Sequence, residues 1–154
     1  MKTKRTFLRR FLGSDFDSLR LMLADIEVMK LTGFKDILSE ERSRELLEEW
    51  IKDEEVWAAI DDKDGVLLGW FMMKKRELMN FEIGFMLNKD YWNKGYATEI
   101  SLKLIEYTKR KYVDSKIIAS TNIENMASIK VLEKIGMKRS QNHLLKNNII
   151  IFEL

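Results

Sequence analysis

Short apolar strand patterns alternate with amphipathic helix patterns through the middle of the chain, and this order of elements most limits the possible folds. Hairpins flank the alternating part, and the first of them turns at Asp61–Gly65. The strand patterns cover residues 4–11, 56–60, 66–73, 81–87, 116–120, 137–144 and 148–153. Strands that alternate with helices, beside strands joined in hairpins, predict a mixed sheet with helices on both faces.

Four helices are predicted from apolar residues at helical spacing and from the residues at their ends. Ser39 and Asn125 are capping residues, and Gly136 is typical of the residue just after a helix. The predicted helices run from Ser14 or Asp15 to Ile26, from Ser39 to Ile51, over about residues 94–110, and from Asn125 to Ile135. Each presents one apolar face, as a helix packed on a sheet requires.

Composition indicates one ordinary globular domain over residues 1–154. The chain has 45% hydrophobic and 34% charged residues, no proline and no low-complexity run that would mark a linker. It contains no cysteine, which excludes a disulfide framework, thiolate metal sites and a cysteine nucleophile. The single histidine, His143, has no partner in sequence and is interpreted as a surface strand residue. We therefore expect no metal cofactor.

The charge pattern argues against nucleic acid as a partner. Twenty-seven basic residues nearly balance 25 acidic ones, and the basic run Lys109–Lys111 lies at a predicted helix end, where it complements the helix dipole. The charged first ten residues do not resemble a signal peptide. No window approaches the roughly 18 apolar residues of a membrane span. We expect a cytoplasmic protein that binds neither nucleic acid nor membrane.

The segment Tyr91–Glu99 carries the most chemical information. It follows the strand Phe81–Leu87, opens a helix, and places the small residues Gly95 and Ala97 at the helix start. Helix N-termini expose unpaired N–H groups that bind phosphate, and a ligand approaches the backbone most closely where side chains are small. The simpler alternative is a loop glycine beside a surface helix. Walker-type and G-x-G-x-x-G nucleotide motifs are absent.

The pattern Trp92-x-x-Gly95-x-Ala97 after a strand resembles the acetyl-CoA pyrophosphate loop of the GNAT superfamily of N-acetyltransferases, with Trp92 where Arg or Gln is usual. The whole of residues 91–99 is especially similar to the Rim-type branch, named for enzymes that acetylate ribosomal-protein N-termini. Residues 121–137 and 25–29 resemble further segments of that branch in the same order. The resemblance implies a GNAT-like central mixed, mostly antiparallel sheet of about seven strands with helices on both faces.

The resemblance also implies acetyl-CoA as co-substrate and an amine acceptor, either a peptide N-terminus or a small molecule. The pyrophosphate would lie on backbone N–H groups of residues 93–98, and the pantetheine arm would pair with the backbone of residues 85–87. Asn125 would cap its helix and also bond the pantetheine arm. The implied cofactor-binding residues are Phe85, Met86, Leu87, Trp92, Asn93, Lys94, Gly95, Tyr96, Ala97, Thr98 and Asn125. The chain would be a monomer or a homodimer.

Two residues take catalytic roles under this resemblance. Glu82 stands where several GNAT enzymes carry a general-base glutamate, and Ser128 stands where the Rim-type branch places a serine near the sulfur. The tyrosine acid of many GNAT enzymes is missing, because Leu132 takes its position. Alternatively, Glu82 faces solvent or binds a cationic substrate, and Ser128 only supports the Asn125 cap. Residues 29–35 are expected to contribute to the acceptor pocket.

Two other functions remain open from the sequence. One is a CoA-binding module without catalysis, which the missing tyrosine favours. The other is a small nucleic-acid-binding or partner-binding domain whose loop is coincidental. Acetyl transfer to an amine distinguishes an acetyltransferase from a CoA-binding module. A rise in melting temperature with CoA distinguishes these two from a nucleic-acid-binding or partner-binding domain.

Overall fold

The computed structural model describes residues 1–34, 36–77, 79–141 and 148–154. The strands are β1 (Thr6–Arg9), β2 (Val56–Asp61), β3 (Leu67–Lys75), β4 (Asn80–Leu87), β5 (Lys116–Asn122), β6 (Lys138–Arg139) and β7 (Ile149–Glu153). The α-helices are α1 (Phe16–Leu23), α2 (Ile26–Met29), α3 (Glu40–Lys52), α4 (Tyr96–Lys111) and α5 (Met126–Lys134). Short 3-10 turns occupy Gly13–Asp15 and Lys89–Tyr91.

All seven strands form one sheet in the order β1-β2-β3-β4-β5-β7-β6. Every neighbouring pair is antiparallel except β4 and β5, which are parallel. These two strands pair only over Asn80–Glu82 and Lys116–Ile118. Beyond that point β4 pairs with β3 alone and β5 with β7 alone, so the middle of the sheet opens into a gap. The predicted mixed, mostly antiparallel sheet of seven strands is confirmed.

Helices pack on both faces of the sheet, as the sequence pattern predicts. On one face α4 and α5 bury their apolar sides against β4, β5 and β7 around Phe71, Ile100 and Ile117. On the other, α1, α2 and α3 pack on β2 and β3 around Leu19 and Met29. Within the described ranges, no helix has both the length and the apolar composition that crossing a membrane would require.

The prediction of one continuous helix from Ser14 or Asp15 to Ile26 is wrong. Helix α1 ends at Leu23, and α2 begins after Asp25, whose carboxylate accepts a hydrogen bond from the Glu27 N–H at 2.9 Å. An aspartate that bonds the backbone locally competes with helix continuation, and here it starts a second helix. Ile26 is consequently exposed instead of buried.

Asp15 also has a different task from the predicted cap. Its buried carboxylate accepts two hydrogen bonds from the Arg9 guanidinium, each 2.7 Å, and one from the Leu12 N–H at 2.8 Å. It makes no capping bond to α1. The Asp15 side chain therefore holds the turn between β1 and α1 in place. Its oxygens are occupied by these bonds, which is why it does not cap α1.

The remaining element boundaries differ from prediction by a few residues, as is usual. Ser39 caps α3 and Asn125 caps α5, both as predicted. β1 is shorter than the predicted strand 4–11. Strand β6 covers only part of the predicted 137–144, and residues 142–144, including His143, lie outside the described residues. So does most of the predicted last turn, at residues 146–148.

Gly69 in β3 allows β4 to approach at the residues that border the gap. A Cβ at this position would overlap the Met86 carbonyl oxygen and lie 2.8 Å from the Leu87 Cα, both backbone atoms. We expect Gly69→Ala to lower the free energy of unfolding by about 1–3 kcal/mol, since backbone cannot move aside as a side chain can. Urea denaturation measures the change. Gly13→Ala is the control, because a Cβ at Gly13 meets nothing within 4 Å. Equal stabilities for the two variants would contradict the prediction.

Candidate functional site

A cleft lies where the end of β4, the loop after it, the start of α4 and the start of α5 meet. We call it the narrow cleft; its volume is about 280 Å³. It is lined by all of the cofactor-binding residues implied by the sequence except Lys94, and by Ser128. The side chain of Lys94 instead lies over the Tyr91 ring, with Nζ 5.7 Å from the ring centroid. The segment that the motif singles out therefore does line a cavity.

The loop before α4 lines this cleft with Trp92, Asn93 and Gly95. The Trp92 indole N–H donates to the Leu87 carbonyl at 2.8 Å and fixes the loop to the end of β4. Asn93 and Gly95 have positive φ angles of 58° and 80°, which delays the helix start to Tyr96 instead of about Lys94. Gly95 is the N-cap and has no side chain to cap with, whereas Asp25, Ser39 and Asn125 cap their helices.

The consequence is a helix of 16 residues that has no side-chain cap at its N-terminus and whose first residues, Tyr96 to Thr98, line a cavity. Such groups, together with the positive end of the helix dipole, form a ready anion-binding site. Ala97 lies in the first turn and adds only a methyl group to the lining. A phosphate group can therefore approach the backbone at this point.

An ion pair between Arg5 and Glu99, which the sequence analysis did not predict, stabilises the loop before α4. The Glu99 carboxylate accepts hydrogen bonds from Arg5 Nε at 2.8 Å, from the Arg5 N–H at 2.9 Å and from the Thr3 hydroxyl at 2.6 Å. Arg5 also donates to the Lys94 carbonyl at 3.0 Å. Burial alone would raise the pKa of Glu99, but the hydrogen bonds from Thr3 and Arg5 outweigh it and lower this pKa. The Glu99 carboxylate therefore stays ionised at neutral pH, and the Arg5 guanidinium balances its negative charge near the loop.

Tyr96 connects the start of α4 to the end of β2. Its hydroxyl donates to the Asp61 carboxylate at 3.1 Å, and the Arg5 guanidinium lies 4.1 Å from its ring centroid. Burial and this hydrogen bond raise the pKa of the Tyr96 phenol above its ordinary value. Hydrogen bonds from the Lys63 N–H and the Tyr96 hydroxyl lower the pKa of Asp61. They outweigh burial, which would raise this pKa. Tyr96 is therefore neutral and Asp61 ionised at neutral pH.

Two cations of α5, Lys130 and Lys134, also line the narrow cleft. Their spacing of four residues places them on one face of the helix. That spacing is visible in the sequence, but which face turns toward the cleft depends on the packing of α5 on the sheet. Both side chains are exposed, so their charges raise the potential of the cleft without costing desolvation.

A second cavity, the wide cleft, has a volume of about 710 Å³ and opens beside the first. Six residues line both clefts, so the two are continuous: Leu31, Thr32, Phe85, Met86, Asn125 and Ser128. Asn125 joins the walls, because its Nδ2 donates to the Leu31 carbonyl at 3.4 Å while its Oδ1 accepts from the Ser128 N–H at 3.0 Å. Residues 30–34 line the wide cleft, close to the range expected for the acceptor pocket.

Glu82 lies on β4 but is not among the described residues that line either cleft. Its carboxylate accepts hydrogen bonds from Arg76 Nε at 2.8 Å and Nη2 at 2.5 Å, and from the Ser120 hydroxyl at 2.9 Å. Ser120 lines the wide cleft, so its hydroxyl connects the carboxylate to that cavity. Because Arg76 already pairs with the Glu82 carboxylate, that negative charge is not available to a cationic substrate.

Ser128 lines both clefts and lies at their junction. Its N–H donates to the Asn125 side chain and completes the cap, as the alternative interpretation holds. Its hydroxyl has no hydrogen-bond partner among the described residues and lines both clefts. Leu132, one turn further along α5, is buried in the core. Among the described residues of the clefts, the tyrosines are Tyr91 and Tyr96, both beside the loop.

Comparison with known proteins agrees with this geometry. The sequence profile of the acetyltransferase (GNAT) domain matches residues 5–138. The uncharacterized N-acetyltransferase YnaD of Bacillus subtilis is 30% identical over 139 residues, which cover 89% of this chain and 81% of that protein. The uncharacterized N-acetyltransferase p20 of Bacillus licheniformis is 28% identical over 144 residues, covering 89% and 81%.

Solved structures show the same fold. The crystal structure of a GNAT-family acetyltransferase from Bacillus anthracis superposes with a TM-score of 0.89 at 26% identity, covering 100% of this chain and 96% of that one. The profile match spans most of the chain. The chain therefore belongs to the GNAT family of acetyltransferases.

Proposed function

We propose that this acetyltransferase moves an acetyl group from acetyl-CoA to a primary amine by direct attack in a ternary complex. The observation that carries the proposal is the uncapped N-terminus of α4, which faces a cleft continuous with a second, wider one. One cleft offers an anion site and the other has room for an acceptor. Their junction at Phe85, Met86 and Ser128 is where the two substrates would meet.

The chain's own groups fit the cofactor at both ends of the narrow cleft. Backbone N–H groups from about Asn93 to Thr98 would hold the pyrophosphate, and Lys130 and Lys134 would add positive charge. The backbone of β4 from Phe85 to Leu87 faces the gap and would pair with the amide groups of the pantetheine arm. Asn125 retains an amide hydrogen that can bond the same arm.

The reaction requires a neutral amine, a polarised carbonyl and a proton for the departing thiolate. The amine nitrogen forms a bond to the acetyl carbon as the C–S bond breaks, the ammonium proton leaves and the thiolate gains a proton. We assign the first proton to Glu82, through the Ser120 hydroxyl or a water, and the second to Ser128. A backbone N–H of residues 85–87 would polarise the carbonyl oxygen.

The resemblance to the Rim-type branch extends the proposal to the acceptor. A Vibrio cholerae structure named as a candidate ribosomal-protein-serine acetyltransferase shares the fold at a TM-score of 0.78 and 18% identity. We propose that the acceptor is a peptide N-terminus or a small amine, that residues 1–154 act as one domain, and that the enzyme works as a monomer or a homodimer. Size-exclusion chromatography with light scattering distinguishes the last two.

Acetyl-CoA is expected to stabilise the folded protein. At a concentration about 100 times its Kd, a ligand that binds only the folded state adds about 2.7 kcal/mol. For a chain of this length the melting temperature should rise by about 5–11 °C. A thermal melt with acetyl-CoA, with ATP as a phosphate-bearing control, makes the measurement. Equal shifts with the two ligands would contradict a site specific for CoA.

A CoA-binding module without catalysis is the second candidate. It is favoured by the aliphatic Leu132 at the usual tyrosine position and by the engagement of Glu82 with Arg76. Turnover separates the two functions. Release of free CoA thiol with a panel of amines, above the rate of hydrolysis without amine, supports the enzyme; binding without release for every amine supports the module.

A further inference from the structure

The loop before α4 contains two residues with left-handed backbone, and Lys94 lies between them. Asn93 and Gly95 have φ angles of 58° and 80°. Such backbone is uncommon for a residue with a side chain, and it persists where surrounding contacts hold it. No backbone N–H from Asn93 to Thr98 bonds another atom of the described residues. The conformation of this loop therefore depends on contacts that reach it from other segments.

Arg5 provides such a contact. Its Nη1 donates to the Lys94 carbonyl at 3.0 Å, and a Cβ added to Gly95 would stand 3.6 Å from its Nη2. The guanidinium is itself fixed, because its Nε donates to the Glu99 carboxylate at 2.8 Å and its Cζ lies 4.1 Å from the Tyr96 ring centroid. Arg5 is not among the described residues that line the narrow cleft, whereas Gly95 and Tyr96 are. The guanidinium therefore contacts the loop and not the cavity.

This contact sets the direction of one amide of the loop. The C=O and the N–H of a planar trans peptide point in opposite directions. The Lys94 carbonyl points to Arg5, so the Gly95 N–H, which belongs to the same peptide plane, points away from Arg5. Without the guanidinium, water would hydrate the Lys94 carbonyl in either direction, and the plane could rotate.

Building on the proposed function, we propose that Arg5 is a positioning residue for acetyl-CoA: it holds the Lys94 peptide plane so that the Gly95 N–H donates to the pyrophosphate. A hydrogen bond to an ionised phosphate is stronger than one between neutral groups, and its loss weakens binding by about tenfold or more. The guanidinium does not touch the cofactor in this role. Arg5 should therefore matter only for acetyl donors that carry the pyrophosphate.

The first test compares two acetyl donors in Arg5→Gln. Acetyl-CoA carries the pyrophosphate, and S-acetylpantetheine carries the same thioester without any phosphate. We expect kcat/KM for acetyl-CoA to fall about tenfold through a higher KM, with kcat at saturation retained, because the lost interaction is one of binding. The kcat/KM for S-acetylpantetheine should equal that of the unmodified protein. An equal loss with both donors would overturn the proposal, since general damage to the fold does not distinguish them.

Arg9→Gln is the matched control. Arg9 lies at the other end of β1, and its guanidinium also pairs with a carboxylate, that of Asp15, at 2.7 Å. Neither residue is among those described as lining the narrow cleft. This variant should lower the melting temperature of the ligand-free protein and leave the KM for acetyl-CoA unchanged. A tenfold rise of that KM in Arg9→Gln would mean that losing either ion pair has the same effect, and the role of Arg5 would be refuted.

A double variant separates orientation from charge. Arg5→Gln leaves the Glu99 carboxylate without its cation, and an unbalanced negative charge would by itself weaken the binding of a diphosphate. Arg5→Gln combined with Glu99→Gln removes both charges, and we expect the KM for acetyl-CoA to stay raised because the Lys94 carbonyl still lacks its donor. A KM that returns to the unmodified value would show that Arg5 only balances charge, and would exclude the positioning role.

Failure of the proposed enzyme is distinguishable from failure of this role. If no amine is acetylated, calorimetric titration with CoA replaces the kinetic measurement. CoA should bind Arg5→Gln about tenfold more weakly than the unmodified protein, and Arg9→Gln as tightly as the unmodified protein. Equal affinity of Arg5→Gln and the unmodified protein would overturn the positioning role alone. No heat of binding with the unmodified protein would overturn the proposed function and this role together.

Discussion

Replacing Ala97 by Glu is expected to abolish acetyl-CoA binding while the protein stays folded. Ala97 is half-buried in the first turn of α4 and lines the narrow cleft, so a carboxylate there would stand beside the proposed pyrophosphate. Two unit charges 4 Å apart near a protein surface interact by about 4 kcal/mol, which corresponds to about a 10³-fold change in Kd. Equilibrium titration of each variant with acetyl-CoA measures the loss.

The matched control separates charge from bulk. Ala97→Gln has nearly the same size as Ala97→Glu but no charge, and it should bind acetyl-CoA clearly more tightly than the glutamate variant. Circular dichroism confirms that both are folded. This position is preferable to Gly95, whose φ of 80° would add backbone strain to any substitution. Unchanged affinity in folded Ala97→Glu would place the cofactor elsewhere.

Replacing Glu82 by Gln is expected to lower kcat at pH 7 by about 10²- to 10³-fold, the lower part of the range of about 10²- to 10⁴-fold for general acid–base catalysis. The defect should shrink as the pH approaches the pKa of the amine, because the acceptor then loses its proton unaided. Binding of acetyl-CoA should remain, since Glu82 is not among the described residues of the narrow cleft. A pH–rate profile with one acceptor tests this.

Two further variants test the route of the protons. Ser120→Ala should reproduce part of the Glu82→Gln defect if the Ser120 hydroxyl carries the proton, and none of it if a water does. Ser128→Ala should lower kcat by about 10²-fold without a shrinking defect at high pH, because it acts on the thiolate. Wild-type rates for Glu82→Gln across the profile would leave substrate positioning and backbone polarisation as the basis of catalysis.

Local patterns in the sequence were sufficient to predict that a loop with small residues leads into helix α4. Gly95, Ala97 and Asn125 are recognisable because small residues and caps have a meaning at helix ends that does not depend on distant contacts. The sheet and its layers follow from strand and helix periods for the same reason. The break at Asp25 was missed because apolar spacing across it, from Leu23 to Ile26, still fits one helix.

Contacts between distant segments could not be predicted. Arg5 and Glu99 are 94 residues apart, and nothing near either residue marks the other as its partner. The ion pair of Glu82 with Arg76 depends on how the β3–β4 turn folds back. In the sequence Trp70 is one more aromatic residue in a strand. Only the three-dimensional packing shows that its indole N–H is buried without a partner among the described residues. The side-chain contacts of the wide cleft therefore could be described only from the structure.

The gap between β4 and β5 gives the sheet two additional edges in its interior. Exposed strand edges are templates for pairing between chains, and proteins commonly protect them. Here the edges beyond Glu82 and Ile118 do not pair with each other. A bound pantetheine arm would close that space. Occupancy would then protect the protein against self-association through strand exchange, so preparations kept with CoA should aggregate more slowly than those without it, even when no acceptor is present.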